Sequence, residues 1–189
     1  MKIKVYICCI IFFCLASHGA EFDLGIYGTL SATVPDDWSF KKVNGKSVDT
    51  PDGTPRGYTF ALKPLSDANA KCLLLFDSPQ KAVPDRELIR KDVLRISEVF
   101  VSKSVEQKKN LRDFSLEKGY GVYCLFTDAS LTGKQVKPGE YKVFGVGKVQ
   151  PGEGVLGLVT LFADEADGKE FKAMVKIINS LKVQPIDGK

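Results

Sequence analysis

Apolar residues recur along the chain in two-residue steps and in short continuous runs, which is the pattern of β-strands. Tyr58, Phe60 and Leu62 alternate with polar or small residues and predict a half-buried strand. The run 72–76 is apolar throughout, as expected for a central strand covered on both faces. Further strands are predicted at 29–34, 121–127, 141–149 and 155–162. Turn residues separate the last three, which predicts an antiparallel meander.

Two segments have the helical period instead. After Asp85, a residue type that caps helices, apolar positions follow at spacings of four, three and four: Ile89, Val93, Ile96 and Phe100. Asp167 and Glu170 form an Asp variant of a capping box. The stripe that follows them consists of Phe171, Met174, Val175, Ile178 and Leu181. Each stripe covers one side of its helix, so each helix is predicted to pack on a sheet by one face.

The predicted fold class is therefore α+β, with a largely antiparallel sheet flanked by two amphipathic helices. We find no internal repeat and no linker, so residues 21–189 are predicted to form a single domain. A domain of this size buries about 70% of its unfolded surface, which supports a core without disulfides or metals.

The first twenty residues have the layout of a secretory signal peptide. Lys2 and Lys4 form a positive start, residues 5–16 carry no charge, and small residues follow before the first acidic residue. We expect cleavage after Gly19 or Ala20 and a secreted or periplasmic mature chain. As a helix the uncharged run would span about 18 Å, less than the roughly 30 Å of a membrane core. No later apolar run is long enough to span a bilayer, so the mature chain is expected to have no transmembrane segment.

Removing residues 1–20 changes the chemistry available to the chain. They contain two lysines, no acidic residue and the only histidine, so the net charge falls from +4 to +2 and no histidine remains. Without histidine the chain cannot form a Ser-His-Asp or Cys-His catalytic system, or a His-based metal site. No serine lies in a nucleophile elbow, so we expect no enzyme activity, no metal and no cofactor. A charge of +2 is too small for strong nucleic-acid binding.

Export also bears on the cysteines. Cys72 and Cys124 both fall in predicted strands, and in an oxidising compartment they are a candidate disulfide. Such a bridge would close a loop of about 50 residues and contribute roughly 4 kcal/mol. The alternative is two buried thiols that act as small apolar side chains. Cys14 would anchor a lipoprotein, although bulky residues precede it where a lipobox has small ones.

Two further motifs are interpreted as turns. Residues 152–157 match G-x-G-x-x-G, but a strand follows them rather than the helix that would hold a pyrophosphate. We assign these glycines to a hairpin turn and one small inward-facing position. Asp49 and Asp52 resemble part of a calcium loop but lack the alternating oxygen ligands and the closing Glu. They lie in the segment 44–57, which is rich in Gly, Pro and Asp and is predicted to be a loop or hairpin tip.

Three residues are candidates for a binding surface. Trp38 is the only tryptophan and follows a turn, so it is either a plug at the edge of the core or the wall of a ligand pocket near the 44–57 loop. Arg86 and Arg90 lie on the polar face of the first predicted helix and are candidates for contact with an anionic partner. Acidic residues interrupt this basic face, so a solvated helix surface is the alternative.

A family resemblance rests on short motifs at both ends of the domain. An early strand runs into V-P-D-D-W-S-F at 34–40, a helix and a meander follow, and the helix at 169–180 leads into S-L-K-V at 180–183. This order resembles the PsbP-like proteins, relatives of the extrinsic protein of the photosynthetic oxygen-evolving complex that include bacterial secreted and DcrB-like members. The resemblance implies an α/β/α sandwich around an antiparallel sheet and a non-catalytic docking role. It implies no catalytic residue, and nothing here matches a chloroplast transit peptide.

The expected function is an exported, non-enzymatic interaction domain that docks to an envelope or extracellular protein. The alternative is a small-ligand-binding protein with a pocket near Trp38 and the 44–57 loop. A carboxylate-dependent hydrolase is a third and weaker hypothesis.

Cleavage of the leader can be tested by the denatured mass of the protein recovered after secretion. We expect the mass of a chain that begins at Ala20 or Glu21, and mass spectrometry measures this directly. A further loss of two hydrogens would report a bridge between Cys72 and Cys124. Recovery of the uncleaved chain, with the mass of all 189 residues, would contradict the expected processing.

Overall fold

The computed structural model describes residues 17–43, 57–77 and 84–185. Most of the expected leader, residues 1–16, and nearly all of the predicted loop 44–57 lie outside these residues. Within the described ranges the chain forms ten strands and two α-helices.

Seven strands form one large antiparallel sheet in the order β3-β4-β5-β9-β8-β7-β6. The strands are β3 (Trp38–Val43), β4 (Gly57–Pro64), β5 (Lys71–Asp77), β6 (Leu111–Phe114), β7 (Tyr120–Thr127), β8 (Val143–Gly152) and β9 (Val155–Ala163). The predicted strands at 58–62 and 72–76 and the predicted meander are all part of this sheet, and β7, β8 and β9 form the meander.

A second sheet has three strands in the order β1-β2-β10. They are β1 (Ser17–Asp23), β2 (Thr29–Pro35) and β10 (Lys182–Gln184), and both pairings are antiparallel. The first four residues of β1 belong to the segment expected to be a leader, where Ser17 lies opposite Pro35 and Ala20 opposite Ala32. Cleavage after Ala20 would leave only residues 21–23 of this strand paired with β2.

The first helix, α1, spans Arg86–Val101, and the second, α2, spans Lys169–Asn179. Asp85 caps α1 as expected, because its side chain accepts a hydrogen bond from the Leu88 amide at 2.7 Å. The predicted capping box of α2 is not formed. Gly168 is the N-cap there, and it makes no side-chain cap, so Asp167 lies outside the helix.

The two faces of the large sheet have separate apolar cores. On one face, α1 packs on β7 and β8, where Ile89 and Val93 meet Val122, Cys124 and Phe126. On the other face, both α2 and the three-stranded sheet bury the larger core. Four phenylalanines form its centre, with neighbouring ring centroids 4.8 to 5.9 Å apart: Phe22, Phe40, Phe60 and Phe76.

The predicted fold class, an α+β sheet flanked by two helices, is wrong. The protein is mostly β, with 47% of the described residues in strands and two sheets of three and seven strands. The physical reason is that a single helix is too small to cover one face of this sheet. Seven strands are about 29 Å wide, whereas the 11 residues of α2 are about 16 Å long, so one helix cannot bury that face of the sheet. The three-stranded sheet covers the remainder.

Candidate functional site

A groove of about 260 Å³ lies beside Trp38, at the seam between α2 and the end of β2. Trp38 begins β3 and is only 3% exposed, so its ring forms a buried wall rather than a surface patch. Pro35 and Ala173 contribute further apolar surface, and most of the exposed lining is apolar. We call this feature the Trp38 groove.

Three lysines of α2 border the Trp38 groove. Lys169, Lys172 and Lys176 are spaced by three and four residues, which places them on one face of the helix. The Lys169 ammonium lies 3.3 Å from a carboxylate oxygen of Asp37, which also lines the groove. Among the described residues, neither Lys172 nor Lys176 has an acidic partner within ion-pair distance. The groove therefore joins an apolar interior to a rim with excess positive charge.

The hydrogen bonds of Ser180 close the groove at the end of α2, and we call them the Ser180 latch. The Ser180 hydroxyl accepts a hydrogen bond from the Thr33 amide at 2.9 Å and donates to the Ile177 carbonyl at 2.7 Å. This side chain fastens the helix terminus to β2, so its own hydrogen-bonding groups are already occupied. The Ser180 hydroxyl is therefore structural, and the charged groups of the groove without an ionic partner among the described residues are Lys172 and Lys176.

All of the 44–57 loop except Gly57 lies outside the described residues. The loop follows Val43, which ends β3, whereas Trp38 begins it. At about 3.3 Å per residue the two ends are roughly 17 Å apart. The described lining comes from β1, β2, β3 and α2, and the expected pairing of Trp38 with that loop stays a prediction.

Arg86 and Arg90, the candidate partner surface, make contacts within the chain. Arg90 donates from Nη1 to the Asp113 carboxylate at 2.9 Å and to the Tyr120 hydroxyl at 3.0 Å. The hydrogen bond with Tyr120 raises the pKa of Arg90 further above its ordinary value. The guanidinium of Arg86 lies over the Tyr120 ring, 5.2 Å from the ring centroid. Both arginines therefore fasten α1 to the edge of the sheet.

The polar face of α1 carries a second ionic contact with the sheet. Asp92 accepts from the Lys148 ammonium of β8 and from Arg95, whose Nη2 lies 2.6 Å away. These hydrogen bonds, with that from Lys148 the largest influence, hold the pKa of Asp92 below its ordinary value. The side chains of Asp92 and Lys148 are 25% and 21% exposed, so this is a partly buried pair that fixes the helix on β8.

The face of β3, β4 and β5 that lies on the same side as α1 is not packed against any described element. Val43 is opposite Thr59, and Thr59 is opposite Leu75, so the three form one row across the strands. The adjacent row is Lys41, Ala61 and Leu73. We call these six residues, with Lys63, the open sheet face. None of them belongs to either core, and Val43 and Leu75 are 42% and 37% exposed.

Cys72 and Cys124 are free, buried thiols. Cys72 aligns through Leu161 and Gly145 with Leu125, so three strand spacings, about 14 Å, separate the two cysteines. Because Cys124 is adjacent to Leu125 in its strand, it faces the opposite side of the sheet. A disulfide requires Cα atoms within about 7 Å, so the proposed bridge does not fit this fold. Burial raises the pKa of both thiols, as expected for small apolar side chains.

The glycine motif has the structural roles assigned to it. Gly154 has φ +72° in the hairpin between β8 and β9, a conformation that favours glycine. At Gly157 an added Cβ would lie 2.6 Å from the ring of Phe76, so only glycine fits under that side chain. In the ranges 17–43, 57–77 and 84–185, no group of three or more His, Cys, Asp or Glu side chains is placed to hold a metal ion.

A separate cleft before α2 contains carboxylates. Asp164, Glu165 and Glu170 border it, and Asn69 donates a hydrogen bond of 2.8 Å to Asp164. The same Asn69 amide donates to the Glu140 carbonyl, so it joins three loops. Through these hydrogen bonds Asp164 anchors the loops.

Comparisons with known proteins support the fold alone. No family model matches the chain, and no curated protein is significantly similar to it. The solution structure of cyanobacterial PsbP (CyanoP) from Synechocystis sp. PCC 6803 is similar, with a TM-score of 0.54 over 94% of this chain and 98% of that chain. The identity is 12%, so this similarity supports a PsbP-like fold and does not extend to function. Among the described residues, no helix has the length and apolar character needed to cross a membrane.

The partly buried pair on α1 predicts a pH-dependent loss of stability for Asp92→Asn. Since the pKa of Asp92 is depressed in the folded state, its contribution is present above the unfolded value of about 3.9 and is lost as the pH falls through the folded pKa. We expect Asp92→Asn to lower the free energy of unfolding by about 1–3 kcal/mol at pH 7, because it leaves Lys148 without its ionic partner. Urea titrations from pH 7 to pH 2 measure this.

The control for this measurement is Glu87→Gln, which removes an exposed ion pair with Lys91 on the same helix. It should change stability little at any pH, because exposed pairs contribute little. A difference between wild type and Asp92→Asn that stays constant down to pH 2 would contradict the assignment.

Proposed function

We propose that the chain is an exported, non-enzymatic interaction domain that docks to an envelope or extracellular protein through the open sheet face. The observation that carries this proposal is the exposed apolar row on a sheet whose opposite face packs against the larger core. An antiparallel sheet that faces water normally carries polar residues on that face. Here Val43, Leu73 and Leu75 are at or near the surface instead.

The chemistry of the open sheet face indicates the kind of partner. Its apolar centre is bordered by Lys41 and Lys63, and it contains no acidic residue. A partner with an apolar contact surrounded by acidic side chains would complement it in both hydrophobicity and charge. Arg86 and Arg90 are engaged within the chain, which favours this surface over the basic face of α1.

Export is supported by the N-terminal sequence alone. The positive start, the uncharged run 5–16 and the small residues before Glu21 are typical of a cleaved secretory signal. The free thiols are compatible with a secreted or periplasmic location, because buried cysteines far apart in the fold do not pair even in an oxidising compartment.

The absence of histidine from residues 21–189 supports a non-enzymatic role.

Site-specific photo-cross-linking tests the docking surface. A photoreactive residue at Thr59, in the middle of the exposed row, should give one discrete cross-linked protein product in the cells that make this protein. The same residue at Val99, which is 65% exposed on α1, is the matched control and should give none. Leu75→Glu should abolish the product at Thr59, because it introduces a charge beside that residue in the apolar row.

Thermal melting of Leu75→Glu separates loss of docking from loss of fold, and Lys41→Glu provides a second variant on an exposed polar position. Absence of a product at Thr59 would contradict the proposal. A product that persists in both variants while their melting temperatures match the wild type would also contradict it.

A second candidate function is the binding of a small ligand, and the Trp38 groove is the observation that favours it. The groove has an apolar interior and a few positioned polar groups, as ligand sites have.

A further inference from the structure

The Trp38 groove has two chemically distinct parts. Its interior is formed by Pro35, Trp38 and Ala173, and its polar end is closed by the Ser180 latch, whose hydrogen bonds are already made. The favourable occupant of the interior is an apolar group that releases water from these surfaces.

The rim of the groove has the opposite character. Lys172 and Lys176 lie on one face of α2 and have no ionic partner among the residues the structure describes. Lys169 lies beside Asp37. Three ammonium groups and one carboxylate leave a net charge of about +2 at the rim. An anion at this position would be attracted by both unpaired lysines, and a cation would be repelled.

The volume limits the size of the occupant. At about 260 Å³ the groove lies just below the range of about 300–1,000 Å³ that is usual for small-molecule sites. Ser17 is part of this lining and belongs to the expected leader, so the volume applies to the chain before cleavage. This space accommodates a single short apolar chain or ring, and it is too small for the two acyl chains of a membrane phospholipid.

We propose that the Trp38 groove binds a small amphipathic anion, with one short apolar group against Trp38 and one anionic head between Lys172 and Lys176. This inference rests on the second candidate function above and names its ligand class. Lysine ammonium groups are flexible point charges rather than planar forks, so both carboxylate and phosphate heads are suitable. Charge, not head-group shape, is the property recognised.

Fluorescence of the single tryptophan provides a direct readout. Trp38 is the only such residue in the chain and forms the groove wall, so a saturable change in its emission is a readout of binding at this site. The probes are decanoate and decyl phosphate as anions, decanol as the neutral analogue and decylammonium as the cation. We expect both anions to change the Trp38 emission saturably and to bind at least about tenfold more tightly than decanol. Decylammonium should bind weakest.

Lys172→Gln with Lys176→Gln should weaken decanoate binding roughly fivefold to tenfold and leave decanol binding unchanged. The matched control is Lys108→Gln with Lys134→Gln, two exposed lysines outside the groove, which should leave decanoate binding unchanged. The control also removes two positive charges, so it corrects for the net charge of the protein.

The outcomes distinguish failure of the proposed ligand class from failure of the ligand site itself. If decanol binds as tightly as decanoate, or if the Lys172 and Lys176 substitutions have no effect, the groove is a ligand site but recognition of an anion is wrong. If no probe of any charge changes the Trp38 emission or gives heat in calorimetry, both the ligand class and the second candidate function are wrong.

Discussion

The two-residue repeat of the seven-stranded sheet is the constraint on which the rest of this structure depends. It directs Phe40, Phe60 and Phe76 to one face of the sheet, where their rings form a continuous cluster. The residues next to them in each strand lie on the opposite face of the sheet. A slip of one residue in the register would exchange the buried and exposed sets along a whole strand. The register that builds the larger core therefore also presents the row Val43, Thr59 and Leu75 on the opposite side.

Both candidate binding features follow from incomplete coverage of this sheet. The 16 residues of α1 pack on β7 and β8 and leave β3 to β5 open among the described residues. On the opposite face, α2 and the three-stranded sheet each cover part of the large sheet, and the Trp38 groove lies where the two meet. Ion pairing of Lys169 with Asp37 and the Ser180 latch hold this seam together on either side of the groove.

Much of the fold could be predicted from local pattern. The strands around Phe60 and Leu74, the meander and the stripe of α1 were all recognisable, because each has a clear period and several buried positions. The strands β1, β3, β6 and β10 were missed. In β3 only Trp38 and Phe40 alternate before two lysines follow. Leu111–Phe114 has four residues and Lys182–Gln184 has three, too few to show alternation, and Ser17–Asp23 overlaps the leader pattern. Their pairing is set by tertiary contacts.

The site was less predictable than the fold. Trp38 was singled out as either a plug at the edge of the core or the wall of a pocket, and it is both, because it is buried in the larger core and borders the groove. The wall opposite it belongs to α2, about 130 residues further along the chain, and no local signal connects the two. Arg86 and Arg90 have the sequence pattern of a free basic surface, and only the fold brings Tyr120 and Asp113 to them.

The most direct test of this account is the solvent accessibility of two neighbouring leucines in β5, measured by methyl NMR with a soluble paramagnetic agent. Leu74 is fully buried in the larger core, and Leu75 lies on the open sheet face. The account predicts strong broadening of the Leu75 methyl signals and almost none for Leu74. Equal protection of both would mean that the chain covers this face itself, and it would contradict the proposed docking surface.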